Sequence, residues 1–163
     1  MILTQLRLLI GALFLSGLAL SPLTAHSQPG LGIILGSPTG ISFKYELNEK
    51  NFIDGALAWT SRVNLYAHTT YLWNHGRLFD VDGHPFEAYY GLGGRLRFWD
   101  KDHGRFNRQD DDEVTFGARL PVGLRTFVAR NKIEIFGEIS LQMDVVPSTS
   151  AGVGVGVGAR YSF

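Results

Sequence analysis

The chain has 163 residues, with 15 Lys and Arg against 15 Asp and Glu, and no cysteine. That length suits one domain. The even charge excludes a strongly basic nucleic-acid binder, and the missing cysteine excludes disulfides, cysteine-ligated zinc and an acylated lipoprotein N-terminus.

Residues 1–7 carry Arg7 and no acid, and 8–20 form an apolar run of 13 residues, too short to cross a bilayer as a helix. A polar exit follows at 21–27, with the small residues Ala25 and Ser27 where a signal peptidase reads. This pattern predicts an exported chain cleaved after Ser27, with a signal peptide at 1–27 and one domain at 28–163. Removing 27 of 163 residues leaves 136, and losing Arg7 leaves 14 basic against 15 acidic side chains.

No segment beyond residue 27 has a helical period; the period is two. Segments 31–36 and 52–59 read as weaker strands, the second with Asp54 on its inner face. Segment 40–47 sets Ile41, Phe43, Tyr45 and Leu47 against Ser42, Lys44 and Glu46. Segment 63–73 sets Val63, Leu65, Ala67, Tyr71 and Trp73 against Asn64, Tyr66, His68 and Thr70. Strands are likewise expected at 86–98, 114–124 and 133–145, each with an apolar and a polar face. The last, 152–163, alternates strictly, with glycines opposite Val153, Val155, Val157, Ala159, Tyr161 and Phe163.

Short polar turns separate most of these segments. Asp82-Gly83 is a tight-hairpin dipeptide. It either lengthens the fourth and fifth strands or sits within a plain loop over 74–85. The long polar connection is 100–113.

Eight alternating strands ending on an aromatic predict an all-β, antiparallel, up-and-down barrel with its apolar face in lipid, an outer-membrane barrel. An even strand number puts both ends on one side, the periplasmic one for this class. The segments 37–40, 60–62, 100–113 and 146–151 then face outward. Tyr45, Tyr71, Trp73, Phe86, Tyr161 and Phe163 fall near one interface, and Trp59, Phe98 and Phe116 near the other, as aromatic girdles require. The inner faces carry Lys44, Arg95, Arg97, Arg119, Arg125 and Arg160 against Glu46, Asp54, Glu87, Glu134, Glu138 and Asp144. Equal numbers suit a solid, ion-paired interior, because a buried charge without a partner is costly.

The export signal, the eight strands and the terminal Arg160-Tyr161-Ser162-Phe163 resemble small outer-membrane barrels of the OmpA-transmembrane-domain and OmpX type. The stretch Gly36-Ser37-Pro38-Thr39-Gly40-Ile41-Ser42-Phe43-Lys44 resembles the first hairpin of a group of small, mostly uncharacterised bacterial outer-membrane barrels. The resemblance implies a monomer in the cell outer membrane, with outer-membrane lipids and lipopolysaccharide around it. It also implies that Tyr161 and Phe163 present an assembly signal to the barrel-assembly machinery. The sequence carries no peptidoglycan-binding segment, so that part of the OmpA role is not expected.

Fold does not decide function. Catalysis by a small barrel would need a Ser and a His within reach of each other. His68, His75, His84 and His103 have no Ser at a recognisable spacing, and His68 reads as a core residue. The run Asp110-Asp111-Asp112-Glu113, with Asp100, Asp102 and His103, lacks the spacing of a calcium loop and reads as a solvated loop. Lys101, Arg105 and Arg108 in that loop could meet lipopolysaccharide phosphates. An eight-stranded barrel is just wide enough for its side chains to fill. Gly32, Gly36, Gly91, Gly93, Gly117, Gly123, Gly152, Gly154, Gly156 and Gly158 face inward, making room for Tyr66, Tyr89, Phe136 and the arginines or leaving a small lumen. Three readings follow. The first is a non-enzymatic scaffold whose outer loop makes surface contacts or adhesion; the second is a narrow channel; the third is a lipid-modifying enzyme. No cofactor, metal or nucleic acid is expected.

Overall fold

The computed structural model describes residues 28–59, 65–99, 113–147 and 149–163. The predicted signal peptide, the 60–62 turn and the loop residues 100–112 lie outside these. The eight strands are β1 Pro29–Gly36, β2 Gly40–Glu46, β3 Asn51–Ala58, β4 Leu65–Val81, β5 His84–Trp99, β6 Glu113–Val128, β7 Ile133–Val146 and β8 Ser150–Ser162. They pair antiparallel in sequence order, and β1 pairs with β8 to close the barrel.

The turns follow from local chemistry. Thr39 Oγ1 accepts from Gly36 N–H at 3.0 Å and closes the β1–β2 turn. Asn48 Oδ1 accepts from the backbone N–H of Lys50 and Asn51, each at 2.9 Å, an Asx turn between β2 and β3. Asp82 and Gly83 have φ of 51° and 79°, the paired positive values of a two-residue hairpin. The extended-hairpin alternative for 74–85 therefore holds: β4 runs on to Val81 and β5 starts at His84. Pro121 lies inside β6 and lacks an N–H, and the β5–β6 ladder is interrupted between Tyr90↔Val122 and Gly93↔Arg119.

The register sets the size of the barrel. From Gly32, ladder partners run through Ser42, Ala56, His68, Arg95, Gly117 and Asp144 to Ser150 on β8. Gly32 itself pairs with Arg160, ten residues further along β8 than Ser150. With ordinary strand spacings, a shear of ten over eight strands gives a tilt of about 40° and a backbone radius of about 8 Å.

One end carries the terminal residues Pro29 and Ser162 with the turns after β2, β4 and β6; it is called the terminal end below. The other is the far end. Its rim is uneven, because β1, β2 and β3 have 8, 7 and 8 residues while β5, β6 and β7 have 16, 16 and 14. β8 pairs with β1 only as far as Gly36↔Gly156, and 150–155 rises beyond it beside β7.

Burial is inverted relative to a water-soluble barrel. Leu31, Ile33, Leu57, Leu92, Leu120, Ile139, Leu141, Val153, Val155 and Val157 are exposed on the outer face. Lys44, Asp54, Arg119, Glu134 and Arg160 are at most 2% exposed. At the terminal end Trp73 stacks on Tyr90 at 5.7 Å and meets Tyr71 at 4.9 Å, and Phe79 stacks on Phe86 at 5.0 Å. Exposed Trp59, Phe98 and Phe116 stand near the opposite rim.

Inward glycines admit large side chains. A Cβ on Gly123 would fall 2.4 Å from Tyr89 Cζ, and one on Gly158 would fall 2.5 Å from Phe136 Cζ. At the closing seam, a Cβ on Gly32 would sit 1.9 Å from the Ala159 carbonyl oxygen, whereas Gly152 has nothing within 4 Å. Gly32→Ala is expected to lower the barrel's stability by about 2 kcal/mol, the scale of an overpacked interior. Gly152→Ala should be neutral. Equilibrium urea unfolding of both variants checks the contrast, and equal midpoints would refute it.

Candidate functional site: the interior charge network

All twelve charged residues assigned to the interior from sequence lie in ion pairs inside the barrel. They form three groups along the axis.

The longest group runs from the terminal end to mid-barrel. Glu87 binds Arg125 at 3.0 Å, and Arg125 reaches Glu46 at 2.9 Å. Arg125 is on β6 and Glu46 on β2, so this pair crosses the full width of the barrel. Glu46 also holds Lys44 at 2.9 Å, and Lys44 pairs with Glu134. Glu134 binds Arg160 at 3.1 Å, and Arg160 binds Asp54 at 2.9 Å. Arg160 also donates to Ser42 Oγ at 2.9 Å and lies 3.8 Å from the Phe136 ring centroid. Its three polar contacts and the ring face compensate much of the cost of burying a cation. Arg125 sits 4.4 Å from the Phe52 ring centroid in the same way.

Two smaller groups lie further toward the far end. Arg119 pairs with Glu138 and donates to Thr70 Oγ1 at 3.1 Å. Asp144 receives Arg95 at 2.5 Å, Arg97 and the Ser150 hydroxyl. Arg95 also donates to Gln142, which in turn donates to Ser140 at 2.9 Å.

Apolar packing fills the space between the charges. Phe52, Leu72 and Tyr89 form one buried cluster, with the Phe52 and Tyr89 rings edge to face at 5.6 Å. Ile34, Ala56 and Phe136 form another. His68 is buried on the inner face, its ring edge to face with Tyr66 at 5.6 Å. His75 and His84 are exposed.

Cavities open toward both ends. The terminal-end cavity, about 400 Å³, is lined by Lys44, Glu46, Asn74, Glu87, Arg125 and Phe127 among others. The far-end cavity, about 130 Å³, lies between the β1–β2 turn and β5.

Ser42, Thr70 and Gln142 lie on the polar faces of the sequence pattern, which assigns them no role. Each is a partner of a buried arginine. Phe52 and Phe127 as ring neighbours of Arg125 and Lys44 were also missed. The available signal was their inward parity beside charged positions. The candidate loop residues Lys101, Asp102, His103, Arg105, Arg108, Asp110, Asp111 and Asp112 lie outside the described residues. Tyr161 and Phe163 point outward at the terminal end, 44% and 73% exposed, with rings 5.4 Å apart.

No protein-family model and no curated protein matches the sequence. Among solved structures, the chain is similar to the Yersinia pestis outer membrane protein Ail, whose backbone structure is in a phospholipid bilayer nanodisc. That similarity has 14% identity and a TM-score of 0.38, covering 84% of this chain and 98% of that one.

Proposed function

We propose that the chain is a monomeric, lipid-embedded outer-membrane barrel, non-enzymatic and filled, acting as a scaffold that presents the loop 100–113 at the cell surface. The supporting observation is the inversion of burial. A belt of exposed Leu, Ile and Val encircles an ion-paired interior. Soluble monomers rarely expose apolar patches beyond a few hundred Å², and a closed barrel is the form in which strands can cross lipid with every backbone group paired. The aromatics at both rims suit the two headgroup layers.

The terminal end then faces the periplasm and the far end the outside. Tyr161 and Phe163 serve the barrel-assembly machinery during insertion, and outer-membrane lipids and lipopolysaccharide surround the belt. Trp99↔Glu113, the last ladder pair of β5 and β6, sets the base of the loop at the high side of the rim. Contacts with a surface ligand are made there, by charge and hydrogen bonding. The buried side chains of Phe52, Leu72, Tyr89, Phe136 and Arg119, each at most 2% exposed, argue against a continuous channel.

The test is electrophoresis of the full chain from the outer-membrane fraction, unboiled and boiled, in the same detergent gel. A shift in mobility on boiling is expected for a closed, detergent-resistant barrel. No shift, with the protein free in the periplasm, would overturn the reading. Deleting residues 101–112 should leave the shift intact and abolish binding to envelope or host surfaces; undiminished binding would remove the loop from the proposal.

A further inference from the structure

The far-end cavity has the chemistry of a ligand site. Its low side is formed by Ser37, Pro38 and Ala58, and its high side by Tyr66, Arg95 and Gln142 together with Arg97. None of these described lining residues is a carboxylate. Tyr66 and Arg95 are 7% and 6% exposed, yet the Tyr66 hydroxyl and the Arg95 Nε–H have no hydrogen-bond partner. The neighbouring acceptors are engaged elsewhere. Gln142 Oε1 takes Arg95 through another nitrogen, and the Asp144 oxygens take Arg95, Arg97 and Ser150. A guanidinium N–H can only donate, and a buried phenol beside it donates at least cost. Buried donors of this kind are normally satisfied.

We infer that this cavity binds an oxyanion, the phosphate or carboxylate end of a molecule entering from the far side. The volume of about 130 Å³ equals the share of about four liquid waters, enough for one tetrahedral oxyanion and too little for a whole sugar or nucleotide. Among the described residues, the rim beside the cavity is low at β1–β3. Gly117 keeps the floor in place, since a Cβ there would fall 2.8 Å from Asp144 Oδ1 and 3.0 Å from Arg95 Nε. Arg95 is thereby held by Asp144 and Gln142. The two guanidinium charges and the unpartnered Tyr66 hydroxyl at this cavity suit an oxyanion. The binding chemistry does not depend on the membrane orientation proposed above.

The experiment uses the full chain folded in dodecyl maltoside, which carries no phosphate. Inorganic phosphate is titrated and its 31P linewidth followed. Phosphatidic acid is tested separately, diluted in zwitterionic nanodiscs, to separate a lipid headgroup from a free anion. Saturable binding is expected, about tenfold weaker in Tyr66→Phe, which removes one hydrogen bond to a charged group. Ala58→Leu, which fills the cavity and leaves the donors in place, should abolish it. The boiling shift confirms that each variant is folded. Binding of phosphatidic acid alone, with the same sensitivity to the variants, would identify the headgroup as the source. Binding of neither probe, or binding unchanged in both variants, would overturn the site.

Discussion

Arg160→Met is expected to destabilise the barrel by about 3–5 kcal/mol, the cost of breaking a buried ion pair from one side. The side chain is 2% exposed and holds Asp54, Glu134 and Ser42 together. Methionine keeps the packing against Phe136 but leaves Asp54 without its ion-pair partner and Glu134 with Lys44 alone in direct contact. Adding Asp54→Asn to that variant should recover part of the loss, because the second change removes one of the stranded charges. Arg77→Ala provides the contrast. Arg77 meets Asp80 at 3.5 Å and is 64% exposed, so its loss should cost at most about 0.5 kcal/mol. Urea midpoints in phospholipid vesicles read all three. If Arg160→Met unfolds at the wild-type midpoint, the interior network is not what holds the barrel shut.

The residues that made this network legible in sequence, and those that did not, differ in one physical respect. Inward parity can be read along a single strand, so all twelve charges were found without knowing their partners. Adjacent strands add a little more. Glu134↔Arg160 and Glu87↔Arg125 are ladder partners, and each is also an ion pair. Arg125 with Glu46 is different. These residues meet only because the sheet closes with a shear of ten, which brings opposite walls to the same height. Lys44 makes the same point from the other direction. Its ladder partner is Asp54, but its ion pairs are with Glu46 and Glu134, while Asp54 goes to Arg160. The strand ends were less legible. β6 runs four residues past the expected end at 124: Thr126 and Val128 stay in the ladder opposite Ile135 and Ile133 of β7, and Phe127 lies beside Lys44 and Arg125. The hairpin at Asp82-Gly83 was ambiguous because bulges after Asn74 and Arg77 break the period of two, the one signal that would have extended β4.

A single outward-facing arginine on β7 will separate a lipid-facing exterior from a water-facing one, and its depth will decide its cost. Ile139 is 58% exposed at the middle of β7, six residues from Ile133 at the terminal end and six from Val145 at the far end. Val145 is 53% exposed on the same face. Six residues of a strand tilted at about 40° rise about 15 Å along the barrel axis. In a bilayer, Ile139→Arg therefore places a guanidinium near the midplane, at a cost of about 2–4 kcal/mol. Val145→Arg places it near the headgroups, at about 0–1 kcal/mol. The measurement is reversible urea unfolding of both variants in vesicles, alongside the same pair in detergent micelles. In water neither substitution has a physical reason to destabilise, since each replaces an exposed aliphatic side chain with one that water solvates better. Equal, negligible costs in vesicles would mean that the apolar belt does not sit in lipid. It would then have to be covered by protein, and the scaffold reading would fall with the membrane. A cost concentrated at Ile139 would locate the hydrocarbon centre on β7 and, through the ladder, on every other strand of the barrel.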